Sequence, residues 1–248
     1  MIKTFLLLLA ITIFYSCKNS EKETTENQSE TKIEKKLFSE TESKIKKYRE
    51  DSQKYWDKND SENALKYGDS IKSLILNSYI KDYEFKTVDS TNYNTSERKK
   101  TLFLQVTASW CAPCKFEVPA LNKIVEKYSD KVDFVLLFWD TQAELEKLAP
   151  DYNKDIVLIP SQEKQSEATT IDISGFRHIM GFPTNYLITT SNEIINFSQG
   201  AMIPTTFTDQ NGKEITITKE DADKGNYERL ETEIKELIEK TGANTVYN

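Results

Sequence analysis

Apolar positions recur at a helical period in some stretches of the chain and alternate, as strands do, in others. From Ile33 to about Trp56 charge is dense and the apolar spacing is broken, which predicts a helix with a weak apolar face. Asn59-Asp60-Ser61 supplies a turn and a capping side chain. Ala64, Tyr67, Ile71, Leu74 and Ile75 then fall on one face of a second helix. From Tyr79 the elements shorten. Tyr83 to Val88 alternates and can pair with a strand near Tyr93 through a turn at Asp89-Ser90-Thr91-Asn92. Leu102 to Thr107 is nearly all apolar, as a strand covered on both faces must be, and Val132 to Trp139 and Ile156 to Ile159 repeat the pattern. Between them, Val118, Leu121, Ile124, Val125 and Tyr128 mark one face of a helix. Leu145, Leu148, Ala149 and Tyr152 mark a further one. Thr184 to Thr190 and Ile194 to Ser198 flank a turn at Ser191-Asn192-Glu193 and predict a hairpin. Residues 201–222, with Asn211-Gly212 at the tip, predict a second. Tyr227, Leu230, Ile234, Leu237 and Ile238 end the chain with a helix.

Strands alternating with helices, then a hairpin and a helix, predict an α/β sandwich around a mixed sheet. Residues 33–78 form a helical extension and 79–248 the main domain. The extension can be packing, a spacer or a partner-docking element, and the residues alone leave these open.

The first seventeen residues stand apart from this pattern. Lys3 is a minimal charged start, Phe5 to Tyr15 is mostly apolar, and Ser16-Cys17 closes the run. A spanning helix needs about 20 residues, so the run is too short to cross a bilayer. A lipoprotein signal with Cys17 as the lipidated residue accounts for the layout. An ordinary cleaved signal or an uncleaved anchor is the alternative. Residues 18–32 are almost entirely polar and predict a disordered tether. This places the protein in the cell envelope, facing the periplasm or exposed at the surface, on the inner or outer membrane.

The whole chain of 248 residues is 38% hydrophobic, enough for a core, and carries a net charge of −7. That charge argues against nucleic acid or anionic lipid as a partner. Of three cysteines, assigning Cys17 to the anchor leaves Cys111 and Cys114, outside the cytoplasm where disulfides persist.

Those two carry the candidate chemistry. Trp110-Cys111-Ala112-Pro113-Cys114 places thiols three positions apart, between a strand and the start of a helix. Unpaired N–H groups and the positive end of the helix dipole stabilise a thiolate there. No metal is expected: structural zinc needs four closed ligands, and the spacing is wrong for copper. Nor is a cofactor, beyond a redox-active Cys111–Cys114 disulfide. His178, the only histidine, precedes Pro183 and reads as a packed or surface residue.

The stretch TLFLQVTASWCAPCKFEVPALNKI, with VDFVLLFWD and GFPTNYLI, resembles the thioredoxin superfamily, and most of all its membrane-tethered TlpA/ResA-type oxidoreductases. The likeness runs from about Tyr79 to Gly200. The leader resembles Bacteroidetes-type lipoproteins, although Phe14 departs from the usual leucine. The resemblance implies a thioredoxin-like three-layer sandwich with a central mixed sheet. It implies that Cys111 is the exposed attacking thiol and Cys114 the resolving one. Trp110, Pro113, Phe182, Pro183 and Thr184 would bind substrate, with Pro183 in a cis peptide, and Pro119 would kink the helix. Glu117 matches a family glutamate that could take the proton of Cys114; a solvated first-turn glutamate is the other reading. Gln105 stands where relatives carry aspartate or asparagine, and it cannot titrate. The implied function is reduction of disulfides in exported proteins, fed by an upstream membrane electron donor. An oxidative disulfide-forming catalyst and a non-catalytic binding scaffold are the alternatives.

Overall fold

A computed structural model of the chain describes residues 36–166, 170–209 and 211–242. Cys17, the leader and the 18–32 tether lie outside these residues. After a 3-10 turn at Phe38–Glu40 come α1 (Glu42–Trp56) and α2 (Ser61–Ile75), then a hairpin of β1 (Glu84–Lys86) and β2 (Asn92–Asn94). The central run follows: β3 (Thr101–Thr107), α3 (Ala112–Tyr128), β4 (Val132–Thr141), α4 (Gln142–Leu148) and β5 (Ile156–Ser161). A small hairpin of β6 (Ile171–Ile173) and β7 (Phe176–His178) leads to β8 (Thr184–Ile188) and β9 (Ile194–Gln199). The chain closes with the hairpin β10 (Thr205–Thr208) and β11 (Glu214–Ile217), then α5 (Lys219–Thr241).

Five strands make the main sheet in the order β5-β4-β3-β8-β9. β3 is parallel to β4 and β4 to β5, whereas β8 runs antiparallel to both β3 and β9. Strand alternation sorts the core. Leu102, Leu104 and Val106 of β3 point to one face, and Phe103 to the other. The Phe103 face is covered by α3, α4 and α5 through residues such as Ile124, Val125, Leu145, Leu230 and Ile234. The Leu104 face is covered by the N-terminal residues Phe38, Ile45 and Ile75 together with Phe85 and Phe176 of the small hairpins. The helical extension therefore supplies part of the third layer, and one apolar cluster runs across the 78/79 boundary. Lys35–Asn248 is one compact unit.

Local chemistry fixes the element ends. The Asp60 carboxylate accepts from the Asn63 N–H at the start of α2. Thr218 and Asp221 form a capping box on α5, and Gly242 takes the left-handed conformation that ends it. The helix expected through Tyr152 stops at Leu148 and gives way to a 3-10 turn at Ala149–Asp151. Pro150, early in that turn, has no N–H to extend the α-helical ladder. The β6–β7 hairpin was not expected. Its signal is the pair Ser174-Gly175, both at positive φ, between apolar Ile173 and Phe176.

Candidate active site

Register brings the site together. β3 runs into the cysteine motif, β8 runs out of Pro183, and the antiparallel pairing sets Val106 opposite Thr184. The cysteine turn and the proline loop therefore meet at one end of the sheet. Cys111 is the N-cap of α3, and its Sγ accepts from the Cys114 N–H at 3.3 Å. The two cysteines are joined as a disulfide with their Cα atoms 5.3 Å apart. The Phe182–Pro183 peptide is cis.

A shallow groove passes over the pair, lined by Trp110, Cys111, Pro113, Met180, Phe182 and Pro183 among others. Its rim is aromatic. Trp110, 47% exposed, meets Trp139 and Phe182 edge-on, each at 5.7 Å. Beneath the turn, buried Asp140 accepts from the Ser109 N–H at 2.7 Å and also from the Ser109 hydroxyl. That carboxylate holds the residues leading into Cys111. Asp140 went unnoticed in the sequence because it ends an apolar strand, with nothing local to mark its partner.

Two expectations need correction, and one alternative reading falls. Cys111 was expected to be exposed, yet it retains 5% of its surface and Cys114 3%. Ala108, Trp139 and Phe182 pack around the sulfurs, so Cys111 is approached along the groove. Thr184 was expected to touch substrate. It is fully buried at the start of β8, between β3 and β9, and its hydroxyl donates to the Gly181 carbonyl at 2.9 Å. It shapes the loop from behind. Glu117 is not a solvated first-turn residue, because only 1% of it is exposed.

Glu117 belongs instead to a buried polar network. Arg229 of α5 pairs with its Oε1, and the Gln105 amide donates to its Oε2 at 2.6 Å. The same amide donates to Asn185 at 2.8 Å. Arg229 also reaches Glu233 at 2.8 Å and Ser198 at 3.0 Å. Burial pushes the Glu117 carboxyl above its ordinary range, with the Arg229 charge and the Gln105 bond opposing. Among the described residues no hydrogen bond joins Glu117 to Cys114. Gln105, which cannot titrate, thus orients the group that can. Arg229 was invisible in the sequence, since it lies 112 positions from its partner.

His178 is packed. It is 1% exposed, stacks on Phe182 with centroids 5.9 Å apart, and lies 2.8 Å from both the Tyr186 hydroxyl and the Gly181 carbonyl.

The Redoxin family model matches residues 72–215, more than half of the chain. The chain belongs to the Redoxin family. Relatives of this Redoxin chain include the thioredoxin-like protein YneN of Bacillus subtilis, 25% identical over 49% of this chain and 69% of its own. The thiol-disulfide oxidoreductase ResA of Oceanobacillus iheyensis is 25% identical over 58% of this chain and 70% of its own. The solved structure of StoA from Bacillus subtilis is 23% identical, covers 49% of this chain and 90% of its own, and has a TM-score of 0.37. The Redoxin match and the ResA and YneN similarities make this a TlpA/ResA-like member of the thioredoxin superfamily and a thiol–disulfide oxidoreductase.

Proposed function

We propose that the protein is an exported, lipid-anchored Redoxin that reduces disulfides in exported polypeptides. The observation that carries the exchange chemistry is the Cys111–Cys114 pair at the N-terminus of α3, opening onto the groove beside Pro183. The Cys111 thiolate attacks one sulfur of the substrate disulfide. A bond forms between Cys111 and that sulfur, the substrate S–S bond breaks, and the departing sulfur takes up a proton. Cys114, deprotonated, then attacks Cys111 Sγ, closes the protein disulfide and releases the second substrate thiol. Two electrons pass to the substrate, and the protein needs a dithiol-type membrane donor to be reduced again.

Glu117 would receive the Cys114 proton through a small shift of the network, since burial already raises its proton affinity. Trp110, Pro113, Phe182 and Pro183 would hold the substrate chain. The reductive direction is supported by the TlpA/ResA resemblance of the sequence. The helix N-terminus works the other way and favours the oxidant reading. Anchoring rests on the leader and Cys17.

Cys114→Ser tests the exchange. The variant should accumulate mixed disulfides through Cys111 with exported proteins, and reducing agent should release them. A scaffold without exchange chemistry would accumulate none. Cys111→Ser should abolish both trapping and turnover.

A further inference from the structure

The three residues between β7 and the cis peptide, Ile179-Met180-Gly181, are held along their backbone by side chains from other parts of the fold. The Arg49 guanidinium of α1 donates to the Ile179 carbonyl. Gln199 of β9 donates to the Met180 carbonyl at 2.8 Å. The Gly181 carbonyl accepts from Thr184 at 2.9 Å and faces His178 Nε2 at 2.8 Å. Nε2 also lies 3.3 Å from the Met180 N–H, but its shorter approach is to the Gly181 carbonyl, which can only accept; that contact assigns the imidazole proton to Nε2 and leaves Nδ1 to accept from Tyr186. Three successive carbonyls are thus fixed, each from a different direction.

One of these holds comes from the helical extension. Arg49 belongs to α1, which makes a second contact just upstream, where Glu42 pairs with Arg177 of β7 at 2.9 Å. The extension is seated by apolar burial, with Ile45 2% exposed and Phe38 packed 5.3 Å from the Tyr186 ring. Met180 and Gly181 line the groove beside Cys111, whereas Arg49 does not.

We propose that the N-terminal helical pair is a positioning element of the substrate groove, and that Arg49 is the residue through which it sets the proline loop. The inference rests on polypeptide substrates entering the groove beside Cys111, and is independent of the direction of electron flow. Anchoring the Ile179 carbonyl to a helix fixes where Met180, Gly181 and Phe182 present themselves to a bound chain. A small disulfide that touches only Cys111 does not use that surface.

Arg49 is an exposed residue, so Arg49→Ala leaves the core intact. The full chain and this variant are compared on three reactions. These are reduction of insulin, oxidation of a dithiol peptide, and reaction of the dithiol with 5,5′-dithiobis(2-nitrobenzoic acid). In Arg49→Ala the KM for both polypeptides should rise about tenfold, the scale of one lost hydrogen bond. The kcat and the small-disulfide rate should stay within about twofold of the full chain. Arg49→Lys, which keeps a donor, should recover part of the loss. An unchanged KM in Arg49→Ala overturns the proposal, as does a parallel fall in all three reactions together with Tm. Loss of insulin reduction alone in the unmodified chain would count against the reductive direction, while a KM shift read from the oxidation assay would still decide the role of Arg49.

Discussion

At His178, burial and the bond from Tyr186 fix a neutral ring beneath the proline loop, and that ring titrates far from its ordinary range. Burial pushes its pKa down to about 4, the Arg49 charge acts in the same direction, and the Gly181 bond opposes. A depressed histidine pKa means that the unfolded chain binds protons first. The stability that the neutral ring contributes is complete above about pH 6.5 and is lost as pH falls toward 4. The loss is on the order of 3 kcal/mol. Urea unfolding across that range should show it, and His178→Gln should flatten the slope; an equal slope in the variant would assign it to other groups. The sequence could show His178 near Pro183 but not its burial, because the Tyr186 hydroxyl that satisfies it reaches it from β8. Cys111 and Cys114 were legible for the opposite reason: spacing, preceding strand and following helix are all local. Thr184 misled because adjacency to Pro183 says nothing about which way a strand's first side chain turns.

Among elements, the contact of α3 with α5 carries the buried charge. Glu117 and Arg229 meet across these helices, and Gln105 closes the network from β3. Removing Arg229 leaves the Glu117 carboxylate buried with a single amide donor. Arg229→Ala should therefore cost about 3 kcal/mol in urea unfolding near neutral pH. Adding Glu117→Gln should recover part of that loss, because the stranded charge is gone. Simple additivity of the two losses would contradict a coupled pair. The long helices were readable from their period, as Ile124, Val125, Leu230 and Ile234 show, and the central strands from their continuous apolar runs. Short elements were not. β6 and β7 are three residues each, and their pairing depends on a Ser174-Gly175 turn too brief to stand out beside ordinary loop.

For the molecule as a whole, the helical extension and the sheet share one apolar cluster. Phe38 and Ile75 pack with Leu104 and Tyr186, so neither part keeps its core without the other. Unfolding should be a single transition, coincident by far-ultraviolet circular dichroism and by tryptophan fluorescence. Phe38→Ala should lower the stability of the whole unit by about 3 kcal/mol without splitting that transition. Two separated transitions would show that the extension folds independently. The sequence predicted the helices of this extension but left their relation to the sheet open, because α1 shows a weak apolar stripe. Ile45 is the buried residue of that helix, and a single residue makes no periodic signal.

In the proposed reaction the Cys111–Cys114 couple donates electrons to substrate disulfides. Its most direct test is the reduction potential of the couple, obtained by equilibrating the protein with glutathione redox buffers or a thioredoxin of known potential. Dithiol couples of this type span roughly −270 to −120 mV. A reductase should fall toward the reducing end, below roughly −200 mV. A potential close to −120 mV would contradict the reductive account and make the protein an oxidant of exported thiols.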